Sequence, residues 1–124
     1  MPQITEHNTT RIAIVGSRTY EDRNKLFKRC DEFVEEYGFE HVTVLYGMAK
    51  GADSLGRDWA KLRGHTIENF PALWHRYGRA AGPIRNEQMA KHTDYVLAFW
   101  NGRSSGTKDM INTSRALGKP VFIF

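Results

Sequence analysis

The sequence predicts an α/β, Rossmann-like three-layer fold built on a five-stranded parallel sheet. Two observations predict it: strand-length apolar runs alternate with helical patterns along the whole chain, and glycine closes the first two runs. Arg11-Ile-Ala-Ile-Val15 is a short buried strand ending at Gly16. A helical pattern from Glu21 to Tyr37 places Leu26, Phe27, Cys30, Phe33, Val34 and Tyr37 on one face, and Gly38 stops it. Val42–Tyr46 is the second strand. Ala52–Arg63 reads as a helix that buries Leu55, Trp59 and Leu62, with Gly64 as its C-cap. His65–Phe70 is a more polar third strand, followed by an irregular stretch and a helix over Ile84–Lys91. Tyr95–Phe99 is the fourth strand, Asp109–Leu117 the last helix, and Val121–Phe124 the fifth strand. Parallel strands need right-handed crossovers, so the helices must cover both faces of the sheet. With the expected order 3-2-1-4-5, the sheet reverses direction between the first and fourth strands, and ligands bind at their carboxyl ends.

The chain has 124 residues, 40% hydrophobic and 26% charged, which is the composition of one ordinary domain and excludes a disordered or fibrous chain. Residues 1–10 read as a polar tail and 11–124 as a single domain. The longest uninterrupted apolar run, Tyr95–Trp100, falls far short of a membrane span. The N-terminus has neither the basic nor the apolar region of a secretory signal, so a cytoplasmic location is expected. A single cysteine allows no internal disulfide, and the five histidines lack zinc-site spacing. No metal and no cofactor are therefore expected. Cys30 and Met89 read as packing residues, and His41, His65 and His92 as structural or solvated. The net charge of +4 is spread along the chain, which permits nucleic-acid binding without signalling it.

The chemistry concentrates in the loops after the strands. Gly16-Ser17-Arg18-Thr19 offers a close backbone approach, a hydroxyl and a fixed cation, a composition suited to phosphate as well as to a plain turn. It contains no GxGxxG, so the usual dinucleotide-dehydrogenase fingerprint is absent. Gly47-Met-Ala-Lys50-Gly51-Ala52-Asp53 brackets a lysine with glycines directly before a helix, where free N–H groups favour an anion; Asp53 serves equally as an N-cap. The Gly-Lys-Ser/Thr ending of a P-loop is missing. Trp100–Asp109 is the most informative stretch: Gly102 and Gly106, three hydroxyls including Ser105 and Thr107, and two cations open a helix, and this suits phosphate or ribose. A capping turn alone would need only one hydroxyl, from Ser104 or Ser105. Between the third strand and its helix, residues 71–86 form a connection long enough to act as a lid. There Trp74 and Tyr77 are suited to stack on a base, while Arg79, Arg85 and Asn86 are suited to phosphate or ribose. Each aromatic taken alone is equally a packing residue.

Together, Gly16-Ser17-Arg18, Gly47-x-x-x-Gly51-Ala52-Asp53, Trp74-x-x-Tyr77-Gly78-x-Ala80-Ala81-Gly82-x-x-Arg85-Asn86-x-x-Met89 and Gly106-Thr107-x-Asp109-Met110-Ile111 resemble the YspA-like, cpYpsA-related branch of the SLOG superfamily. These are small Rossmann-like proteins of bacteria and phages. The resemblance implies a ligand that is a nucleotide or derived from one, such as NAD, ADP-ribose or a nucleoside phosphate, and an oligomer of two or more copies. A related group, the cytokinin-activating LOG enzymes, removes ribose 5′-monophosphate from a base with an arginine and a Pro-Gly-Gly-x-Gly-Thr-x-x-Glu motif. Here Trp100-Asn101-Gly102 stands in place of Pro-Gly-Gly and Asp109 is the nearest acid. A third group, the DNA-processing proteins, handles single-stranded DNA.

Three functions therefore remain open at this stage. The leading one is a sensor, carrier or sponge that holds its ligand on Gly16, Ser17, Arg18, Gly106 and Thr107, with Arg85, Asn86, Trp74 and Tyr77 around the remainder. The second is N-glycosidic cleavage with Asp109 and Arg85 as catalytic residues, or with Asp53 as the acid. The third is single-stranded nucleic-acid binding. The apolar Phe122-Ile123-Phe124 at a sheet edge adds an expectation of self-association.

Overall fold

The computed structural model describes residues 9–124. The expected tail lies outside the described residues except at its end, where Thr10 already opens the first strand. The strands are β1 (Thr10–Gly16), β2 (Val42–Tyr46), β3 (Thr66–Asn69), β4 (Tyr95–Phe99) and β5 (Val121–Ile123). The helices are α1 (Arg23–Tyr37), α2 (Ala52–Arg63), α3 (Trp74–Tyr77), α4 (Ala81–His92) and α5 (Ser105–Ala116). All strand pairs are parallel, as the crossover argument requires, and the order is the expected β3-β2-β1-β4-β5. Among the described residues no helix is long and apolar enough to cross a membrane.

Strand alternation divides the core in two. Ile12 and Ile14 of β1, with Val42, Val44, Leu97 and Phe99, face α1 and α2, where Leu26, Cys30, Phe33 and Trp59 complete the layer. Ala13 and Val15, with Leu45, Val96 and Ala98, face α4 and α5, where Met89, Met110 and Ile111 close the other side. Both faces of the sheet are buried, so its strands carry near-continuous apolar runs rather than alternating ones. The helices change face between β3 and β4, which leaves β1 and β4 as neighbours whose crossovers leave in opposite directions. Their register, Ile12 opposite Tyr95 through Gly16 opposite Phe99, brings the two carboxyl ends level at Gly16 and Phe99.

Three expectations are corrected. Leu62 is 61% exposed, because the buried stripe of α2 runs through Ala52, Asp53, Gly56, Trp59 and Ala60 instead. Gly56 makes this possible: a Cβ there would lie 2.6 Å from Cγ2 of Ile14, so α2 rests on the sheet at a residue with no apolar side chain to count. Consequently Leu62→Ser is expected to change stability by no more than about 0.5 kcal/mol, while Trp59→Ala costs about 3–5 kcal/mol; urea denaturation of both variants checks the pair. Second, the stretch after β3 is not irregular: α3, a 3₁₀ turn at Gly78–Ala80 and α4 follow one another, and α4 starts three residues before Ile84. Pro83 sits in the first turn of α4, where no N–H is needed. Third, α5 begins at Ser105 rather than Asp109. Its first turn is polar and therefore invisible to apolar periodicity.

Candidate functional site

The loops after β1, β2 and β4 and the start of α4 converge at the carboxyl ends of β1 and β4. Two glycines there serve packing. A Cβ on Gly16 would lie 2.2 Å from the Phe99 carbonyl oxygen and 2.6 Å from the Ala52 Cβ, so the residue is small to let β1 close on β4 and α2. Gly51, at φ 72° and ψ −127°, would put a Cβ 2.2 Å from the Ser17 carbonyl oxygen, and it starts α2 with no side-chain cap. Asp53, the alternative cap, lies inside the first turn and is 7% exposed. Ser17 is buried and locks the same junction: its Oγ accepts from the Asn101 N–H, and its carbonyl accepts from the Tyr20 and Ala52 N–H groups.

The loop after β4 is built by side-chain turns. The Asn101 Oδ1 accepts from the N–H groups of Arg103 and Ser104 at 2.8 and 3.0 Å. Ser104 then caps α5 by accepting from the Thr107 N–H, and its hydroxyl lies 3.1 Å from the Thr107 Oγ1. Gly106, in that first turn, has no neighbour within 4 Å of where a Cβ would stand, so the turn faces open space.

Arg85 and Asn86, in adjacent positions on α4, tie these loops together. The Arg85 guanidinium donates through Nη1 to the Gly47 carbonyl and through Nε to Oδ1 of Asn86 at 3.1 Å. The Asn86 Nδ2 donates to the Gly106 carbonyl at 3.2 Å and to Oδ2 of Asp109 at 3.0 Å. Both amide hydrogens of Asn86 are thus committed within the protein, and the side chain orients Arg85 against Asp109. Gly47 supplies room as well as an acceptor, since a Cβ there would lie 2.8 Å from the Asp53 Oδ2 and 3.0 Å from the Arg85 Nη1.

Around Arg18 and Arg85 the surface is hollowed in three adjoining places. A deep cavity of about 80 Å³ includes Gly16, Asp53, Asn86, Gly106 and Thr107 in its wall. A cavity of about 170 Å³ lies beside Gly47, Met48, Ala72 and Trp74. An outer one of about 610 Å³ lies beside Trp74, Asn86, Ser105, Gly106 and Asp109. Arg18 and Arg85 line all three. Ser17, Lys50, Gly51, Tyr77 and Gly102 line none of them: Ser17 is buried, Gly51 packs, and Lys50, Tyr77 and Gly102 face solvent. Met48 has no signal in the sequence, yet it forms a wall with a strained backbone at φ 63°. Ser104 also lines the cleft, and its role as a cap had concealed that.

Neither Arg18 nor Arg85 forms a salt bridge with a described residue, whereas Arg11, Arg23, Arg57 and Arg63 all do. Burial shapes the charges within the cleft. Desolvation pushes the Asp53 carboxyl up to about 6, although Arg85, an Ala49 backbone hydrogen bond and Arg18 all pull the other way. Desolvation likewise lowers the Arg85 guanidinium, opposed by Asp53. Elsewhere, burial pushes the Cys30 thiol far above its usual value, which leaves it unreactive. His65 is held below its usual value by burial and then by His41, and its Nδ1 accepts from the Val42 N–H, so it is structural.

The Asp53 shift has a measurable sign. The carboxyl titrates near ~3.9 in an unfolded chain and near 6 in the fold, so the protonated form favours folding. That contribution is complete below about pH 4 and is lost as pH rises through 6, amounting to about 3 kcal/mol. Asp53→Asn is therefore expected to gain about 3 kcal/mol over the native protein at pH 8 but only about 1 kcal/mol at pH 4.5, as paired urea titrations would show.

The family model for the YspA, cpYpsA-related SLOG family matches residues 10–77. The Gene 61 protein of Mycobacterium phage D29 is 34% identical over 122 residues, which covers 92% of this chain and 95% of that protein. The chain belongs to the YspA, cpYpsA-related SLOG family. The match to the family model ends at Tyr77, before Arg85, Asn86 and Thr107; the similarity to the phage protein carries on through most of the chain. Among solved structures, DNA processing protein A (DprA) from Streptococcus pneumoniae superposes with a TM-score of 0.73 at 19% identity, over 93% of this chain and 50% of that one. This SLOG chain thus spans half the length of DprA. TM1055, a structural-genomics target, gives a TM-score of 0.66 at 20% identity over 91% of this chain and 72% of that one. At these identities both show a shared Rossmann-like fold.

Proposed function

We propose that this SLOG protein binds a nucleotide or nucleotide-derived ligand, NAD- or ADP-ribose-like or a nucleoside phosphate, at the switch point between β1 and β4, as a sensor, carrier or sponge. One observation carries the reading: Arg18 and Arg85, from different loops and without salt bridges to described residues, line every part of one cleft. A guanidinium pair of this kind matches phosphate oxygens. The open first turn of α5 at Gly106 lies beside it, in the geometry that favours anions. Family membership supports a nucleotide-related role in the same cleft. We also propose a cytoplasmic location, that of the host if the protein is phage-encoded, and self-association along the exposed edge of β5, where Ile123 is 43% exposed. A monomeric mass by light scattering at micromolar concentration would count against self-association.

The test is a panel of nucleoside monophosphates, NAD, ADP-ribose and its cyclic forms, incubated with the protein and quantified by mass spectrometry before and after heating. A binder removes one compound from the free pool and returns it intact on heating. Arg18→Ala combined with Thr107→Ala is expected to abolish that removal; unchanged uptake by the double variant would place the ligand elsewhere.

A second reading, hydrolysis of the N-glycosidic bond of a nucleoside 5′-monophosphate, is favoured by the buried Asp53 carboxyl. It lines the deep cavity and titrates near 6, in the range of a working general acid. Water would add at the ribose carbon while the base leaves with the proton. In the same panel, accumulating free base and ribose phosphate would establish this reading, and the absence of both would dismiss it. If the proposed binder instead handles nucleic acid, affinity falls steeply with salt.

A further inference from the structure

We propose that Asp53 is a proton-operated counterion of the arginine pair: in the empty site its carboxylate balances Arg18 and Arg85, and an anion enters the deep cavity only as that carboxylate takes up a proton from solvent. The inference rests on the proposed anion-binding cleft and adds the condition under which it fills.

The deep cavity has three charged groups in its wall, Arg18, Asp53 and Arg85, each brought by a different segment. Arg18 comes from the loop after β1, Arg85 from α4 and Asp53 from the first turn of α2, while α5 contributes no charged side chain to that wall. The Asp53 Oδ2 and the Arg85 Nη1 stand 2.8 and 3.0 Å from the point a Gly47 Cβ would occupy, so the two charges lie within about 6 Å of each other, close enough to influence one another in a desolvated wall. Yet the buried Asp53 forms no salt bridge with a described residue. Carboxylate and guanidiniums instead border a common hollow of about 80 Å³, room for one small oxyanion or one phosphoryl group.

An anion in that hollow cannot avoid the carboxyl. It draws on the same two guanidiniums and adds a negative charge where water is scarce, and two like charges sharing such a site do not both stay ionised. The carboxyl yields, because burial already disfavours its charge and the only cations that favour it, Arg85 and Arg18, are the ones the anion engages. Once protonated it is a hydrogen-bond donor, so a contact to the oxyanion replaces the repulsion. Gly51 packs the start of α2 on the Ser17 and Arg18 carbonyls, so the turn that carries Asp53 does not lift away from Arg18. Among the described residues no histidine lines any of the three hollows, which leaves Asp53 as the group there that titrates near neutral pH.

The experiment is calorimetric titration of the intact protein with ADP-ribose and with inorganic sulfate, two anions that stay fully ionised from pH 6 to pH 8, unlike a phosphomonoester. Bis-Tris and Tris serve as buffers because they are cationic, do not compete for the arginines, and differ in ionisation enthalpy. Each anion is expected to bind about 50-fold more tightly at pH 6 than at pH 8, because only the protonated fraction accepts it. Near pH 7.4 the heats in the two buffers should report uptake of close to one proton per anion. Asp53→Asn should take up no proton and bind equally at both pH values, whereas His75→Gln should keep the full slope. Carbon NMR of the Asp53 carboxyl reads the same event without a variant: saturating sulfate should move its titration midpoint upward. An affinity that is flat from pH 6 to pH 8, without proton uptake, overturns the inference and leaves the anion site standing. A slope that survives in Asp53→Asn, or a carboxyl midpoint that bound sulfate leaves in place, overturns the assignment to Asp53. If neither anion binds at either pH, the proposed site falls and the inference with it.

Discussion

Arg85→Ala is expected to lower affinity for any phosphate-bearing ligand by at least about 100-fold, the effect of losing two charge-assisted hydrogen bonds. It should also destabilise the free protein. The side chain holds the Gly47 carbonyl and the Asn86 amide oxygen, and it is the strongest influence keeping the buried Asp53 carboxyl from titrating higher. Without it a desolvated carboxylate stands beside Gly47 with only Arg18 and one backbone hydrogen bond to favour its charge, which costs about 2 kcal/mol or more near neutral pH. The two effects separate in the double variant Arg85→Ala/Asp53→Asn. Stability should recover because no charge is left to bury, while binding should stay lost because the phosphate partner is gone. Thermal denaturation and calorimetry on the same samples distinguish them, and an Arg85→Ala protein that binds ADP as the native one does would contradict the account. Arg85→Lys should rescue little, since an ammonium cannot reach the Gly47 carbonyl, the Asn86 oxygen and a phosphate as one planar fork.

The second large effect is on the fold itself. Gly51→Ala is expected to destabilise the protein by about 4 kcal/mol, combining ~1–3 for a glycine-only backbone conformation with ~1–3 for overpacking. The Cβ would stand 2.2 Å from the Ser17 carbonyl oxygen and 2.5 Å from that of Arg18, both of them backbone atoms, at φ 72° and ψ −127°. No rotamer relieves such a clash; the β1 loop must lift off α2. Because Arg18 sits on that loop, ligand affinity should fall along with the melting temperature, which drops by more than about 10 °C. By contrast Gly38→Ala, at φ 73° with no neighbour within 4 Å, carries only the backbone strain and should cost about 1 kcal/mol.

The contrast between those glycines shows what was legible in the sequence. The sheet was, because both its faces are buried: each strand is an apolar run that needs no partner to be recognised, and alternating helices make it parallel; the expected order 3-2-1-4-5 is the one observed. Helix bounds were legible only where the first turn carries apolar residues. Apolar periodicity places the starts of α4 and α5 later than Ala81 and Ser105, because the residues that open them are alanine, glycine, proline, serine, threonine and lysine. Leu62 was assigned to the core because nothing in the composition of α2 reveals that Gly56, pressed on Ile14, defines the buried face.

The site was legible as a set of loops and illegible as a set of roles. Residue type pointed to Gly16, Ser17 and Gly51 as ligand contacts. Distances to Phe99, Ala52, Asn101 and the Ser17 carbonyl show that all three pack the loops together, and of the three Gly16 also borders the cleft. Asn86, whose type suits ribose, joins Arg85 to Asp109 and Gly106 and also borders the cleft. Such assignments depend on pairs far apart in sequence, and Arg85 with Gly47 is one of them. Spacing along the chain carries no record of which long-range partner a side chain meets.

The most direct test of a nucleotide site at the switch point is to titrate ADP-ribose into isotope-labelled protein and follow every backbone amide by NMR. The account predicts that the shifts cluster at Arg18, Gly47, Ala49, Gly106 and Thr107 and are lost in Arg85→Ala, while the amides of α1 stay still. Shifts that cluster instead around the acidic face of α1 at Glu32, Glu35 and Glu36, or that persist undiminished without Arg85, would contradict it.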